Sequence, residues 1–278
     1  QGGKDKDLSL KKEKFKIKNI QKKDTKTLWN ILNYINTQFF NCHNEYCWSN
    51  LPYIKGKSSL LSRFIPRKPR IWLKDNNTWL NTNDIENVLY QYEKRFPEFK
   101  FLGVSPIDYD YQYYGNCVSE DICNLNIKKK FNDKKKYLIG IVFNLDRHNE
   151  PGSHWVAVFA DLKKKEVYYY DSYGLRPPYE IRVLMNKISQ MGNFIPNVDT
   201  NKSKTGECLD NCHLGSNVFK SYYNNVRHQY KNSECGVYSM HFIISFLEGQ
   251  TFDQIINNIK TDDEINKYRD IYYHDFRC

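Results

Sequence analysis

The chain has 278 residues, 40% hydrophobic and 27% charged, with a net charge of +10, so it can bury a sizeable core as one large domain or a domain plus an extension. No apolar run reaches the roughly 18 to 20 residues of a membrane-spanning helix, and the lysine-rich start lacks the apolar block of a signal peptide, so membrane and secreted classes are set aside. Eight scattered cysteines without a compact disulfide framework predict reduced thiols and a cytosolic setting.

The chain opens on Gln1 rather than Met and is read as a fragment or a processed product. Residues 4–23 form a lysine-dense arm. Residues 55–70 gather Lys55, Lys57, Arg63, Arg67, Lys68 and Arg70 around Pro66 and Pro69. Such stretches bind phosphate backbones or simply stay solvated, so nucleic acid is a candidate partner of the N-terminal part. The abundance of Lys, Asn, Ile and Tyr, as an AT-rich coding sequence would give, supplies a purely compositional explanation. Between the basic stretches, residues 24–40 place Leu28, Ile31, Leu32, Ile35 and Phe39 at helical spacing, with Asp24 or Thr25 as cap. Residues 1–70 therefore read as a basic, partly helical extension, regulatory, partner-binding or merely completing the fold, ahead of a domain over 71–278. Two clusters, Cys42-His43 with Cys47 and Cys208 with Cys212-His213, lack the C-x-x-C spacing of a strong zinc site, and no metal is expected.

Thr78-Trp79-Leu80-Asn81 leads into a helical pattern through Val88, Leu89, Tyr92 and Phe96. Residues 103–115, aromatic and acidic with Asp108 and Asp110, read as a rim loop. Residues 137–145 read as a central strand. Residues 153–161 and 166–172 form a hairpin joined by a short lysine turn at Lys163 to Lys165. Residues 178–191 are amphipathic through Ile181, Val183, Leu184, Ile188 and Met191, and predict a crossover helix. Residues 197–216 read as a loop insertion and 219–229 as a strand delivering Gln229. The chain then turns from polar to almost wholly apolar at Cys235-Gly236, without period-two alternation, which predicts a buried helix opening at Cys235. Residues 262–273 read as a charged surface helix capped at Thr261 or Asp262.

Chemistry concentrates at three of these places. A cysteine at a helix start sits among unpaired N–H groups and the positive end of the helix dipole, which favour thiolate over thiol. A hairpin of this length brings His154, at the start of its first strand, near Asp171, at the end of its second. Nucleophile, proton acceptor and imidazole-orienting carboxylate make up a catalytic triad, and Cys235, His154 and Asp171 fill those roles. Each residue alone has a dull reading: Cys235 as a small core hydrophobe, His154 as a strand-end polar residue, Asp171 as a turn former. Together they point to nucleophilic catalysis.

The order His154-Trp155, Asp171, Gln229 and Cys235-Gly236 resembles the SUMO and ubiquitin-like-protein protease family, in a clan shared with the adenoviral protease. Within it, Gly-Ser-His-Trp-Val-Ala-Val-Phe-Ala-Asp, Asp-Ser-Tyr-Gly and the Glu-Cys-Gly around Cys235 are most similar to the polyprotein-processing proteases of large cytoplasmic DNA viruses. The family usually has Asp before the cysteine, where this chain has Glu234. The resemblance implies an α+β fold, a papain-like cysteine protease core with a central mixed sheet flanked by helices, here behind a helical N-terminal extension. It implies that Gln229 donates to the oxyanion, with Asn232 as a rival nearer in sequence. It also implies that Trp79 and Trp155 form a tunnel over the substrate, although Thr82 stands where the family tends to have Asp. Two aromatic faces over an extended chain leave room for glycine and little else, so cleavage after Gly-Gly or Gly-Ala is expected, without a cofactor. The expected partner is a polypeptide with such small residues before the cut. Polyprotein maturation in a virion and host cytoplasm is the leading function. An isopeptidase acting on ubiquitin-like modifiers is the second, and an acetyltransferase using a similar Cys and His the third.

Overall fold

The computed structural model describes residues 25–40, 65–127, 136–193, 207–210 and 218–274. The chain divides into two compact units, Gln1–Phe64 with Cys278, and Ile65–Arg277. In the first, helix α1 (Thr25–Phe40) forms where the apolar spacing predicted it, with Leu28, Ile31 and Ile35 half-buried and Asn30, Asn33 and Tyr34 exposed. The lysine arm, most of the second basic stretch and the cysteine–histidine clusters, except Cys208, lie outside the described residues. Among those described, no helix is long and apolar enough to cross a membrane.

The second unit is built on a six-stranded sheet. Its strands are β1 (Phe99–Pro106), β4 (Leu138–Asn144), β5 (Trp155–Asp161), β6 (Glu166–Tyr170), β7 (Glu207–Asp210) and β8 (Lys220–Tyr223), in the order β1-β4-β5-β6-β8-β7. β1 runs parallel to β4 and β6 parallel to β8; the other pairs are antiparallel. A short ribbon, β2 (Gln112–Tyr113) with β3 (Asn116–Cys117), stands apart.

Every residue of β5 and β6 is buried, because both sheet faces are covered. Trp155, Ala157 and Phe159 belong to one core with Val237, Met240 and Ile243 of helix α5 (Cys235–Leu247). Val156, Val158 and Ala160 face the other, where helix α4 (Tyr179–Gly192) contributes Ile181, Leu184 and Ile188. Helix α2 (Thr82–Arg95) packs beside β1 and starts at a capping box: Asn81 accepts from the Asp84 N–H, and Asp84 accepts from the Asn81 N–H.

Four expectations are corrected. The strand expected over 219–229 ends at Tyr223. There the Asn224 side chain donates to the carbonyls of Asp171 and Val226 and accepts from the Val226 N–H, turning the chain out of the ladder, so a loop carries Gln229. The insertion at 197–216 contains strand β7. Cys117 is bonded to Cys123, against the expectation of reduced thiols; Cys123 ends helix α3 (Glu120–Cys123). Finally, the single surface helix over 262–273 is two short ones, α7 (Asp262–Asn266), capped by Thr261, and α8 (Arg269–Tyr272), which follow helix α6 (Phe252–Asn257) and bury Asp262, Ile265, Arg269 and Tyr272.

Among the described residues, Arg269 is the largest fully buried side chain. Its guanidinium lies 4.6 Å from the Trp72 ring centroid and donates through Nη2 to the Ser233 carbonyl at 3.2 Å. Burial pulls its pKa below the usual arginine range, against the opposing influence of Tyr273, Glu234 and Asp84. Removing this cation takes away a positive charge that buried Asp84 and Glu234 both feel, frees the Ser233 carbonyl and empties the space over Trp72. Arg269→Ala is therefore expected to destabilise the domain by about 3 to 5 kcal/mol, measured by urea unfolding; a loss under about 1 kcal/mol would contradict this account of the packing.

Candidate active site

β5, β6 and α5 carry the three predicted groups to one place. His154 immediately precedes β5, Asp171 immediately follows β6, and Cys235 is the first residue of α5. The β5–β6 hairpin does what its length predicted: His154 Nε2 lies 2.7 Å from Asp171 Oδ1. This bond occupies Nε2 and leaves Nδ1 for Cys235, which also hydrogen-bonds the imidazole. The ring is further fixed by stacking on Tyr173, with centroids 4.5 Å apart and planes at 15°.

All three groups are withdrawn from water, with relative exposures of 8% for His154, 1% for Asp171 and 2% for Cys235. Burial pushes the His154 pKa down, but hydrogen bonds to Asp171 and Cys235 and their negative charges outweigh it and hold it at about 9. The imidazole is therefore protonated at neutral pH.

Asp171 is anchored on several sides. Its Oδ1 also accepts from the Tyr173 N–H at 2.8 Å, and its backbone carbonyl accepts from Gly174 N and Asn224 Nδ2. Oδ2 is buried with no hydrogen-bond partner. Gly174 has φ +72°, and a Cβ there would stand 2.7 Å from the Val226 carbonyl carbon and 2.9 Å from the Arg227 nitrogen.

That neighbouring backbone leads to Gln229, which is fully buried. Its Oε1 accepts from Ser172 Oγ at 2.6 Å, and its Nε2 donates to the Lys231 carbonyl at 2.7 Å. An amide nitrogen has two hydrogens, so one remains for another acceptor. Asn232, the rival, is exposed. Gly174→Ala would push the 226–229 stretch away from Asp171. We expect it to lower kcat about a hundredfold, the scale of a misplaced oxyanion donor, and to destabilise the fold; steady-state kinetics beside thermal unfolding would check both.

Before Cys235, Glu234 is buried and bonded to the N–H and Oγ of Ser233, while Arg269 holds the Ser233 carbonyl. Gly236 is where the helix meets the cleft wall: a Cβ there would come within 2.8 Å of Leu80 and 3.2 Å of Trp155. Trp155 is buried and donates through Nε1 to the Leu80 carbonyl at 2.9 Å. Trp79 is 46% exposed. Both tryptophans line one open cavity of about 520 Å³, so the structure brings them to the same cleft. The Asp84 carboxylate is committed to the helix cap.

Tyr173, Ser172, Asn224 and Gly174 were not singled out for any role in the sequence. Asp-Ser-Tyr-Gly was visible only as a motif, and Asn224 carried no local signal. Their roles arise from tertiary contacts: a stack, an amide anchor and a close backbone approach.

Comparison with known proteins gives the family and the fold. Residues 109–277 match the family described as the Ulp1 protease family, C-terminal catalytic domain. A protein of Acanthamoeba polyphaga mimivirus bearing a thiol-protease name is 36% identical over 70% of this chain and 56% of its own length, so the match spans little more than half of that relative. A cysteine protease of African swine fever virus is 25% identical over 96% of this chain and 90% of its own. The crystal structure of an African swine fever virus protease superposes with a TM-score of 0.65 at 21% identity, covering 92% of this chain and 94% of that one. The likeness bears out the expected α+β fold, a mixed sheet flanked by helices.

Proposed function

Since the chain belongs to the Ulp1 protease family, a family of cysteine proteases, we propose that it is an endopeptidase that cuts after Gly-Gly or Gly-Ala and matures a structural polyprotein of a large DNA virus. One observation carries the reaction: the imidazole bonded through Nε2 to Asp171 has its other nitrogen free for Cys235 at the start of α5. In this reading His154 already holds the Cys235 proton as an imidazolium, and the paired thiolate attacks the carbonyl carbon after glycine. The oxyanion accepts from the spare Gln229 N–H and from the Cys235 backbone N–H, which has no intrahelical partner. His154 then protonates the leaving amine, the thioester forms, and a water deprotonated by His154 releases the acid.

The preference for small residues is supported by the wall of the cleft. Trp155 is fixed against Leu80 and Gly236, the neighbour of Cys235, and Trp79 lines the same cavity, which supports an aromatic wall on one side of the approach. The viral setting, in the virion and host cytoplasm, is supported by the viral origin of the two named relatives.

The test is a peptide panel sharing one downstream sequence, with Gly-Gly, Gly-Ala, Ala-Ala or Val-Val before the cut. Cleavage of the first two, at least tenfold better in kcat/KM than the others, is expected. Hydrolysis only when a folded ubiquitin-like domain precedes the glycines would replace the endopeptidase reading with an isopeptidase one.

A further inference from the structure

The cavity beside the proposed small-residue channel has an outer wall that the proposed reaction does not use. Its lining runs outward from Trp155 and Trp79 to Asp146, His148 and Glu150. His148 is tied to Asp108, through Nδ1 to Oδ2 at 2.7 Å and through its backbone N–H to Oδ1 at 2.9 Å. On its other side it stacks on Tyr111, with centroids 5.0 Å apart and planes at 21°. Tyr111 leads into the β2–β3 ribbon, whose tip presents Tyr113 and Tyr114, packed edge to face at 4.6 Å. These rings are 52%, 59% and 90% exposed, and Tyr111 and Tyr113 meet the cavity wall at His148.

The charge of this wall opposes that of the chain. The chain carries 42 Lys and Arg against 32 Asp and Glu, yet residues 103–127 contain Asp108, Asp110, Glu120 and Asp121 and no Lys or Arg. The cavity lining adds Asp146 and Glu150 against Arg147 alone. Exposed tyrosine faces next to carboxylates suit one kind of side chain: a long aliphatic stem that lies along the rings and ends in a cation.

We propose that this cavity and the Tyr111–Tyr113–Tyr114 rim select substrates carrying a lysine or arginine at the third to fifth position before the cut. The placement rests on the function proposed above, in which the two small residues occupy the Trp79–Trp155 end. An extended chain rises about 3.3 Å per residue, so those positions stand roughly 7 to 13 Å from the residue at the cut, far enough for a long side chain to reach past the tryptophans toward the acidic rim.

The test has two arms. In the first, kcat/KM is measured for peptides with Gly-Gly fixed and the preceding three residues changed from Ala to Lys or to Glu; the lysine peptide is expected to exceed the glutamate peptide by about tenfold or more. In the second, fluorescent forms of the same peptides are titrated into the Cys235→Ala protein, so that binding is read without catalysis. The same order of affinities is expected, largely abolished in a Tyr113→Ala/Tyr114→Ala variant and reversed by Asp110→Lys with Glu150→Lys. Equal binding and cleavage of lysine and glutamate peptides would overturn the proposal. Lysine-selective binding without any cleavage after Gly-Gly would keep the docking site and overturn the proposed reaction instead.

Discussion

Replacing His154 with Ala is expected to lower kcat by a factor on the order of 10⁶, the scale on which a triad enzyme loses activity when nucleophile and base no longer act together. In the proposed mechanism the imidazole has three duties: it holds the proton given up by the thiol, passes it to the leaving amine and later activates water. Tyr173, stacked on the ring, cannot take them over, because its phenol pKa is raised by burial and by the charge of Cys235. The same substitution carries a signature in stability. The His154 pKa rises from 6.5 to about 9 on folding, so the charged ring contributes stability that is fully present below about 6.5 and disappears as pH rises through 9. The shift corresponds to about 3 kcal/mol. The gap in unfolding free energy between wild type and His154→Ala should therefore be widest near pH 6 and narrow toward pH 10. A gap that widens with pH would mean that the ring is neutral in the folded protein.

Asp171→Asn is expected to lower kcat by about 10⁴ while leaving the fold intact. Asp171 Oδ1 accepts from both the imidazole and the Tyr173 N–H, whereas the one oxygen of Asn, kept at that point, would leave its NH2 group at the buried place of Oδ2, which has no hydrogen-bond partner. Its amide must then turn toward Nε2, which becomes an acceptor, and the single proton of the neutral ring moves to Nδ1. That nitrogen faces Cys235, so the ring can no longer accept the thiol proton. The turned amide gives up the Tyr173 N–H bond and the attraction between carboxylate and imidazolium, so the melting temperature should fall by several degrees while the protein stays folded. Steady-state kinetics, unfolding and the pH dependence of Cys235 alkylation separate the two explanations. Loss of the base slows alkylation near neutral pH in a folded protein, whereas structural damage lowers stability and activity together.

Much of this was legible before the fold was known, for identifiable reasons. The wholly apolar stretch after Cys235 signals a helix buried all round, and its polar-to-apolar boundary marks the end at which the thiol sits. The 153–172 hairpin has both strands apolar on both faces, so its two ends are held together by a covered sheet, and His154 and Asp171 meet as its length implied. The misreadings fall where polar groups are buried with partners distant in sequence. Residues 262–273 look like a surface helix because they are charged, yet the Asp262 carboxylate accepts the N–H groups of Tyr230 and Lys231 at 2.8 Å each, and Arg269 lies under Trp72. Such partners leave no periodic trace. Asn224, which ends β8 and frees the Gln229 loop, is likewise one polar residue among several in the sequence, and the joining of Cys117 to Cys123 depends on the turn that α3 makes.

The central claim, that Cys235 attacks the carbonyl of a small-residue peptide while His154 holds its proton, is tested most directly by trapping the adduct. A peptide ending in Gly-Gly-propargylamide, which captures only a nucleophilic thiol in place, is incubated with the protein, and the labelled residue is read by mass spectrometry. The account predicts a single adduct on Cys235, strongly slowed in His154→Ala and Asp171→Asn and absent when the glycines are replaced by valines. Labelling of another cysteine, or equal labelling of Cys235 in all three proteins, would contradict it.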